Sequence, residues 1–449
     1  MPKPTEMMRP LALPALALSV LLLGSACASS SSSPGTGSAS AGNTGSASAA
    51  AAGESASKCG LGNGQKAAGT PIKLGAIVTN VPGLSFTDAT NMAAAYFECV
   101  NANGGIHGRP IDYIVKQDAL NPQQSAALAT ELINTDKVDA LVGSMSVLDC
   151  SVNGALYAKE HLSVIDLGSS LECFNSANIA PVNDGPSFSA LATAQYLLSE
   201  GAKSLVIFTS NTPGSDAINQ GVVALAKKAG VPVHASVVNV PLSNPTGLTL
   251  QSVQEAGTGG GIVVNLNPGE AIKVFEAAQQ QGLMDRVKWG CPAGCNDASF
   301  AKQLSSAWDG KLGVNAEMNL TDSTGPDNLL YRKIQAQYAA STPVDTFSQL
   351  GFLAARIAVS GLLAAPPSQL TTVAGVNAAL KAIKDFKSDL YCTPWYYGDQ
   401  AFHAANNVTR TVTLRNGAFV LAQGCEPIPA LPNNHFAAIR SYAATLNGG

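Results

Sequence analysis

Short apolar runs alternate along the chain with stretches in which apolar residues recur every three or four positions. The run Ile72-Lys-Leu-Gly-Ala-Ile-Val78 has the continuous apolar character of a strand buried on both faces. Met92, Ala95, Tyr96, Cys99 and Val100 then recur at i, i+3, i+4, i+7 and i+8, which predicts one face of a helix stopped by Gly104-Gly105. Ile111 to Val115 predicts a second strand. Pro122 opens a second helix carrying Leu128, Leu132 and Ile133. Asp139-Ala-Leu-Val-Gly143 predicts a third strand, followed by helix to about His161 and strand from Ser163 to Leu167. The pattern then restarts. Helix is expected over Ala190 to Ser199, Gln220 to Ala229 and Glu270 to Gln281, and strand over Ser204 to Phe208, Val233 to Val238 and Gly261 to Asn265. A broad apolar face predicts a further helix from Phe347 to Ala364. Tyr391 to Val420 is rich in β-formers, with a hairpin-like turn at Arg415-Asn-Gly417. Alternation of this kind predicts an α/β fold with two doubly wound, Rossmann-like parallel sheets.

The first 57 residues follow other rules. Lys3 and Arg9 precede an apolar stretch from Leu11 to Leu23, then the small run Gly24-Ser25-Ala26 and Cys27. A basic start, a short apolar core and small residues before a cut mark an export signal. The stretch is shorter than the roughly 18 residues that span a bilayer. With a cysteine directly after the cut, it resembles a bacterial lipoprotein signal, whose thiol receives lipid. Residues 1–26 are therefore expected to be removed, and Cys27 to anchor the chain to the outer face of the cell membrane. Ala28 to Ser57 is almost wholly Ser, Ala, Gly and Thr. Such a segment has nothing to bury against the cost of ordering. As a coil it would reach roughly 30 Å, a tether between lipid and folded body.

Beyond the tether the chain is long enough for two lobes. It is 46% hydrophobic and 12% charged, with a formal net charge of −4, so no basic stripe exists to neutralise phosphates and nucleic acid is not an expected partner. After the signal, no apolar run is expected to approach membrane-spanning length. Besides Cys27 there are eight cysteines, an even number that in an exported chain reads as disulfides. The expected pairs join sequence neighbours: Cys59–Cys99, Cys150–Cys173, Cys291–Cys295 and Cys392–Cys425. The Cys291-Pro-Ala-Gly-Cys295 loop lacks both the two-residue spacing of redox pairs and an accompanying His cluster, so neither redox nor metal chemistry is expected there. The histidines (His107, His161, His234, His403, His435) are scattered. None lies beside a nucleophile-elbow serine, and no Walker loop, zinc spacing or strand-borne G-x-G-x-x-G appears. Neither an enzyme nor a cofactor is expected.

Several segments, taken in order, resemble the type I periplasmic-binding-protein family, in its leucine/isoleucine/valine-type branch of ABC importer receptors. They are strand Ile72 to Val78 with Pro82-Gly83 after it; Asn101-Ala-Asn-Gly-Gly-Ile-His-Gly-Arg-Pro110; Gln117-Asp118 with Asn121-Pro122; Lys137-Val-Asp-Ala-Leu-Val-Gly-Ser144; and Gly201-Ala-Lys leading into Ser204 to Phe208. The resemblance implies two lobes joined by three crossovers and closing like a hinge. Lobe one would hold 58–185 and 311–390. Lobe two would hold 186–310 and 391–430, with 431–449 as a tail. It further implies a monomer that captures a small-molecule ligand and delivers it to an importer permease. A tethered sensor serving a membrane receptor or kinase would use the same fold.

Ligands of open α/β sheets bind beyond the carboxyl ends of strands. Those ends in lobe one are Gly143-Ser144-Met145-Ser146 and Gly168-Ser169-Ser170, rich in hydroxyls and backbone N–H groups suited to an anion. By position they match the loops the family uses for an amino acid's carboxylate, which makes Ser144, Ser146, Ser169 and Ser170 candidate ligand residues. In lobe two, Thr209-Ser-Asn-Thr-Pro213-Gly214 lacks the aromatic the family often places there. Asp297 is the nearest carboxylate for a ligand ammonium, and it comes late. Asn265 and Asn267 could supply amide hydrogen bonds or form the turn before Pro268. Phe86 is a candidate apolar wall. Trp395, Tyr396 and Tyr397 read as core, and Asp118 as the organiser of its loop.

Overall fold

A computed structural model describes residues 58–432 and 434–446. The signal segment, Cys27 and the tether lie outside the described residues. In chain order the elements of the first lobe begin with β1 (Ile72–Val78), the two-residue strands β2 (Asn80–Val81) and β3 (Leu84–Ser85), α1 (Thr87–Ala102), β4 (Ile111–Gln117) and α2 (Pro122–Glu131). They continue with β5 (Ala140–Val142), α3 (Asp149–Lys159), β6 (Val164–Ile165) and α4 (Leu171–Phe174). The second lobe takes α5 (Gly185–Ser199), β7 (Leu205–Ser210), α6 (Ser215–Ala229), β8 (Val233–Val238), α7 (Pro245–Ala256), β9 (Gly261–Asn265), α8 (Pro268–Gln280), β10 (Lys288–Cys291), α9 (Ala298–Gln303) and β11 (Leu312–Ala316). The chain returns to the first lobe for α10 (Pro326–Tyr338), α11 (Thr346–Ala364) and α12 (Val373–Lys381). It ends with β12 (Val408–Arg415), β13 (Ala418–Pro427) and α13 (Phe436–Leu446).

Among the described residues the strands form two main sheets. One has the order β4-β1-β5-β6, all parallel. The other runs β8-β7-β9-β10-β11 in parallel and closes with β12 and β13 antiparallel. In both, the first strand lies inside and the second outside it. That arrangement opens a crevice at the carboxyl ends of the strands where the order reverses. Asn416 and Gly417 both have positive φ (53° and 72°), the conformation a two-residue hairpin turn requires. In the Gly-Gly exit, a Cβ on Gly105 would lie 2.2 Å from the carbonyl oxygen of Arg109. Asn101 then locks helix to strand, since its side chain accepts from the Ile111 N–H at 2.7 Å and donates to the Ile111 carbonyl at 2.8 Å.

Three expectations need correction. Residues 312–316 belong to the second sheet, pairing with β10 and β12, so the chain re-enters lobe one only after Ala316. The expected tail contains α13, whose Phe436 is fully buried against Phe188 at 4.6 Å between centroids. Helix α11 is apolar and long enough to cross a membrane by length and composition, but it is a core helix with 78% of its apolar window buried. It lies along α1, where a Cβ on Gly351 would meet the Ala89 carbonyl oxygen at 1.9 Å. All four expected cysteine pairs are bonded.

The chain passes between lobes around residues 181–185, around 317–319 and through 391–407. Aromatic donors dock the third passage onto the first. Trp395 Nε1 donates to the Pro181 carbonyl at 2.9 Å, Tyr391 to Val182 at 2.8 Å and Tyr397 to Asn178 at 2.5 Å. The second passage joins through Glu317, whose carboxylate accepts from the N–H groups of Asp184 and Gly185 at 3.3 and 3.1 Å. Burial, then the neighbouring Glu317, push the Asp184 carboxyl well above the usual carboxylate range. Trp395→Ala should lower unfolding stability by about 3–5 kcal/mol, as truncation of a buried large aromatic does. Trp395→Phe, which loses only the indole donor, should cost much less. Chemical denaturation of both variants checks this.

Candidate functional site

The crevice floor on lobe one is tied together by one buried carboxylate. Asp118, fully buried after β4, accepts from Thr79 Oγ1 at 3.1 Å, from the Leu120 N–H at 3.0 Å and from the Ser146 hydroxyl. Thr79 Oγ1 in turn accepts from the Val147 N–H at 3.1 Å. Ser146 Oγ accepts from the N–H groups of Leu148 and Asp149, both at 3.0 Å, and so satisfies the start of α3. Ser144 Oγ points back into the sheet and accepts from the Ile77 N–H at 3.0 Å. The loops after β1, β4 and β5 are thus sewn together by the hydroxyls expected to read a ligand. Ser144 and Ser146 are 2% and 3% exposed, and both are spent on the protein.

The loop after β6 is different. The Ser169 hydroxyl donates to the Ser146 carbonyl, and Ser170 Oγ has only the Cys173 sulfur near it, at 4.0 Å. The backbone N–H groups of Ser169 and Ser170 meet no acceptor among the described residues. Asn183 holds Gly168 just before them, accepting its N–H at 2.7 Å and donating to its carbonyl at 3.1 Å. The Cys150–Cys173 disulfide fastens α3 to α4, and with them the two loops. Asp166 lies 3.1 Å from Cys150 Sγ. Those three residues cluster tightly enough to suggest a metal, but both sulfurs are consumed in the disulfide. Burial, with Asp149 adding to it, raises the Asp166 carboxyl well above its usual range.

Phe86 is half-buried and packs edge-on against Phe347 at 5.5 Å. It therefore forms a wall together with the first turn of α11. Each phenylalanine has an aspartate two residues away, Asp88 in α1 and Asp345 capping α11. Asp345 accepts from the Ser348 N–H at 2.8 Å, and Ser348 returns a bond to the Asp345 N–H, a capping box. Asp297 approaches from lobe two. Its Oδ1 caps α9 by accepting from the N–H groups of Ser299 and Phe300 at 2.7 and 3.0 Å. Asp88 is raised by burial and by Asp297. Asp345 is raised to about 7 by burial, with Asp88 and Asp297 adding to it. The two lobes thus bring three carboxyls within reach of one another's charge.

The remaining candidates are local. Asn267 caps α8, accepting from the Glu270 N–H at 3.0 Å, so turn formation is its role. Asn265 is half-buried at the end of β9 and donates to Thr209 Oγ1 at 3.3 Å. Trp395, Tyr396 and Tyr397 are buried in the hinge and its surroundings. Sequence reasoning missed Asp88, Asp345 and Phe347. The Asp345-Thr-Phe-Ser348 capping pattern was the available signal for the start of α11.

The profile of a family described as periplasmic binding protein matches residues 71–418. The chain belongs to this family. Periplasmic binding proteins work outside the cytoplasm and bind solutes. Among solved structures, the fold is similar to a branched-chain amino acid ABC transporter protein from Thermus thermophilus with bound valine. The TM-score is 0.68 at 15% identity, covering 83% of this chain and 100% of that one. It is also similar to a fatty acid ABC transporter substrate-binding protein from Thermomonospora curvata, with TM-score 0.67, 17% identity and 82% and 97% coverage. A third similar structure is an ABC transporter solute-binding protein from R. palustris in complex with benzoate, with TM-score 0.66, 17% identity and 81% and 98% coverage. No curated relative matches the chain by sequence.

Two outcomes are expected of this periplasmic binding protein. Ser144→Ala should cost about 1 kcal/mol of stability, the typical worth of one hydrogen bond, and leave ligand affinity within about twofold. Denaturation and calorimetry on the same sample check it. Asp149 is raised to about 6 by burial, against bonds from Tyr157 and Asn153, and Asp345 to about 7. The folded state holds these protons more tightly than the unfolded state. Their contribution to stability is therefore fully present below the ordinary aspartate range and lost as pH rises through about 6 and about 7. The unfolding midpoint should fall between pH 5 and pH 8, and Asp345→Asn, which keeps the cap, should flatten the upper part of that fall.

Proposed function

We propose that this chain is the lipid-anchored, extracytoplasmic receptor of an ABC importer and captures an amino acid or a related carboxylate or amide. The observation that carries this reading is the gathering of Asp88, Asp345 and Asp297 from both lobes, where an ammonium group would relieve their mutual repulsion. At the loop after β6, Ser169 and Ser170 offer backbone N–H groups free of acceptors among the described residues, the donor type that suits a carboxylate. Beside the aspartates, Phe86 and Phe347 offer an apolar flank. The ligands named for the three similar structures (valine, a fatty acid and benzoate) share a carboxylate.

The anchor rests on sequence. Lys3, Arg9, the apolar run to Leu23 and the small residues before Cys27 support lipid attachment at Cys27, and the Ser/Ala/Gly stretch supports a tether. Lobe closure on the ligand would use the three passages at 181–185, 317–319 and 391–407. The importer permease is the proposed partner, and the protein is proposed to act as a monomer.

Isothermal calorimetry with valine, leucine, glutamine, glutamate and benzoate tests the reading. At least one amino acid should bind. Asp88→Asn with Asp297→Asn should weaken it tenfold or more, the worth of about 1.4 kcal/mol. Binding of benzoate with no amino acid would assign the crevice to carboxylates lacking an ammonium. Full affinity in the double variant would remove Asp88 and Asp297 from the site.

A further inference from the structure

Beside the acidic trio lies a cavity of about 210 Å³ whose walls come from both lobes. Lobe two contributes Asn296 and Lys302, the returning chain Asn319 and Asp322, and lobe one Thr346 and Gln349. The cavity sits at the amino end of α11, a helix of 19 residues. Asp345 spends one oxygen on the Ser348 N–H and leaves the earlier amides of the helix to other partners. Thr346, the first residue of α11, is 2% exposed, and its hydroxyl has no hydrogen-bonding partner among the described residues. A buried hydroxyl without a partner is costly, and in a cavity wall it points to a polar guest.

The charges decide which guest fits. An anion would face Asp345 and Asp322, with Asp88 and Asp297 close behind. A cation would gain from Asp345 and Asp322 but would face Lys302 and the positive end of the α11 dipole. A neutral group that both donates and accepts meets neither penalty. It can use Thr346 together with the amide of Asn296, while the amides of Asn319 and Gln349 are held by Asp389, Leu320 and Asn328 and shape the wall.

We propose that this cavity is a specificity subsite that takes a neutral amide or hydroxyl group at the distal end of the captured solute. The inference rests on the amino acid reading of the crevice and names the side chain that reading leaves open. Because both lobes build the cavity, its occupant is gripped only when they come together.

The test compares L-glutamine, L-leucine and L-glutamate by calorimetry on the oxidised protein, in wild type, Thr346→Val and Thr346→Ser, with each variant's fold checked by thermal unfolding. Wild type should bind glutamine about tenfold or more tighter than leucine or glutamate, the discrimination worth one hydrogen bond. Thr346→Val should bring glutamine to within about threefold of leucine while leaving leucine unchanged, and Thr346→Ser should keep the preference. Equal or tighter binding of leucine or glutamate by wild type overturns the subsite and leaves the crevice reading standing. A glutamine preference that survives Thr346→Val overturns it as well. If none of the three binds, the amino acid reading fails and the subsite falls with it.

Discussion

The docking of the third passage onto the first is the constraint on which the rest depends. Two sheets that share no strand hold a common orientation only through the segments between them. Here those segments are fixed by donors on Trp395, Tyr391 and Tyr397 to carbonyls in a stretch without regular structure. A buried loop must find partners for its carbonyls, and here side chains add to the few bonds that β6 makes with 178–182. Asp184 and Glu317 complete the arrangement. One carboxylate takes two backbone N–H groups, and burial beside it raises its neighbour well above the usual carboxylate range. The chain thus crosses three times through a buried, hydrogen-bonded joint, and bending must be absorbed in the few residues around it.

The joint sets apart the candidate ligand loops. On lobe one, the loops after β1, β4 and β5 face inward around Asp118 and form a stiff floor. The loop after β6 adjoins the passage at 181–185, and its donors remain available. A rigid floor with one reading edge lets a receptor hold its site in shape before the solute arrives, which limits the ordering cost of capture.

Much of the fold was legible in the sequence because its signals are local. Ile72–Val78 is a continuous apolar run, the α1 stripe has helical period, and Asn416-Gly417 allows the positive φ of a tight hairpin turn. The cysteine pairing followed from nearness along the chain. What escaped had no local signature. Strand β11 is five residues whose sheet is decided by long-range pairing with β10 and β12. Helix α13 looks like a tail until Phe188 supplies a surface for Phe436. Position pointed to the loops after β5 and β6 as the candidate site, yet serine hydroxyls bond as readily to their own backbone as to a guest. Only three-dimensional contact separates Ser144, which faces the sheet, from the free amides of Ser169 and Ser170. Asp88, Asp345 and Asp297 lie far apart in sequence, and no spacing rule could gather them.

Gly351 carries a consequence for how such a receptor could change its taste. The space beside it is filled by the backbone of Ala89, the neighbour of Asp88, and Phe347 lies one turn earlier on the same helix. Any side chain at that point would wedge α1 from α11. The wedge would spread the two aspartates and the two phenylalanines without altering any of them. With the site proposed above, solute preference would be adjustable through the spacing of two helices instead of the identity of the groups they carry.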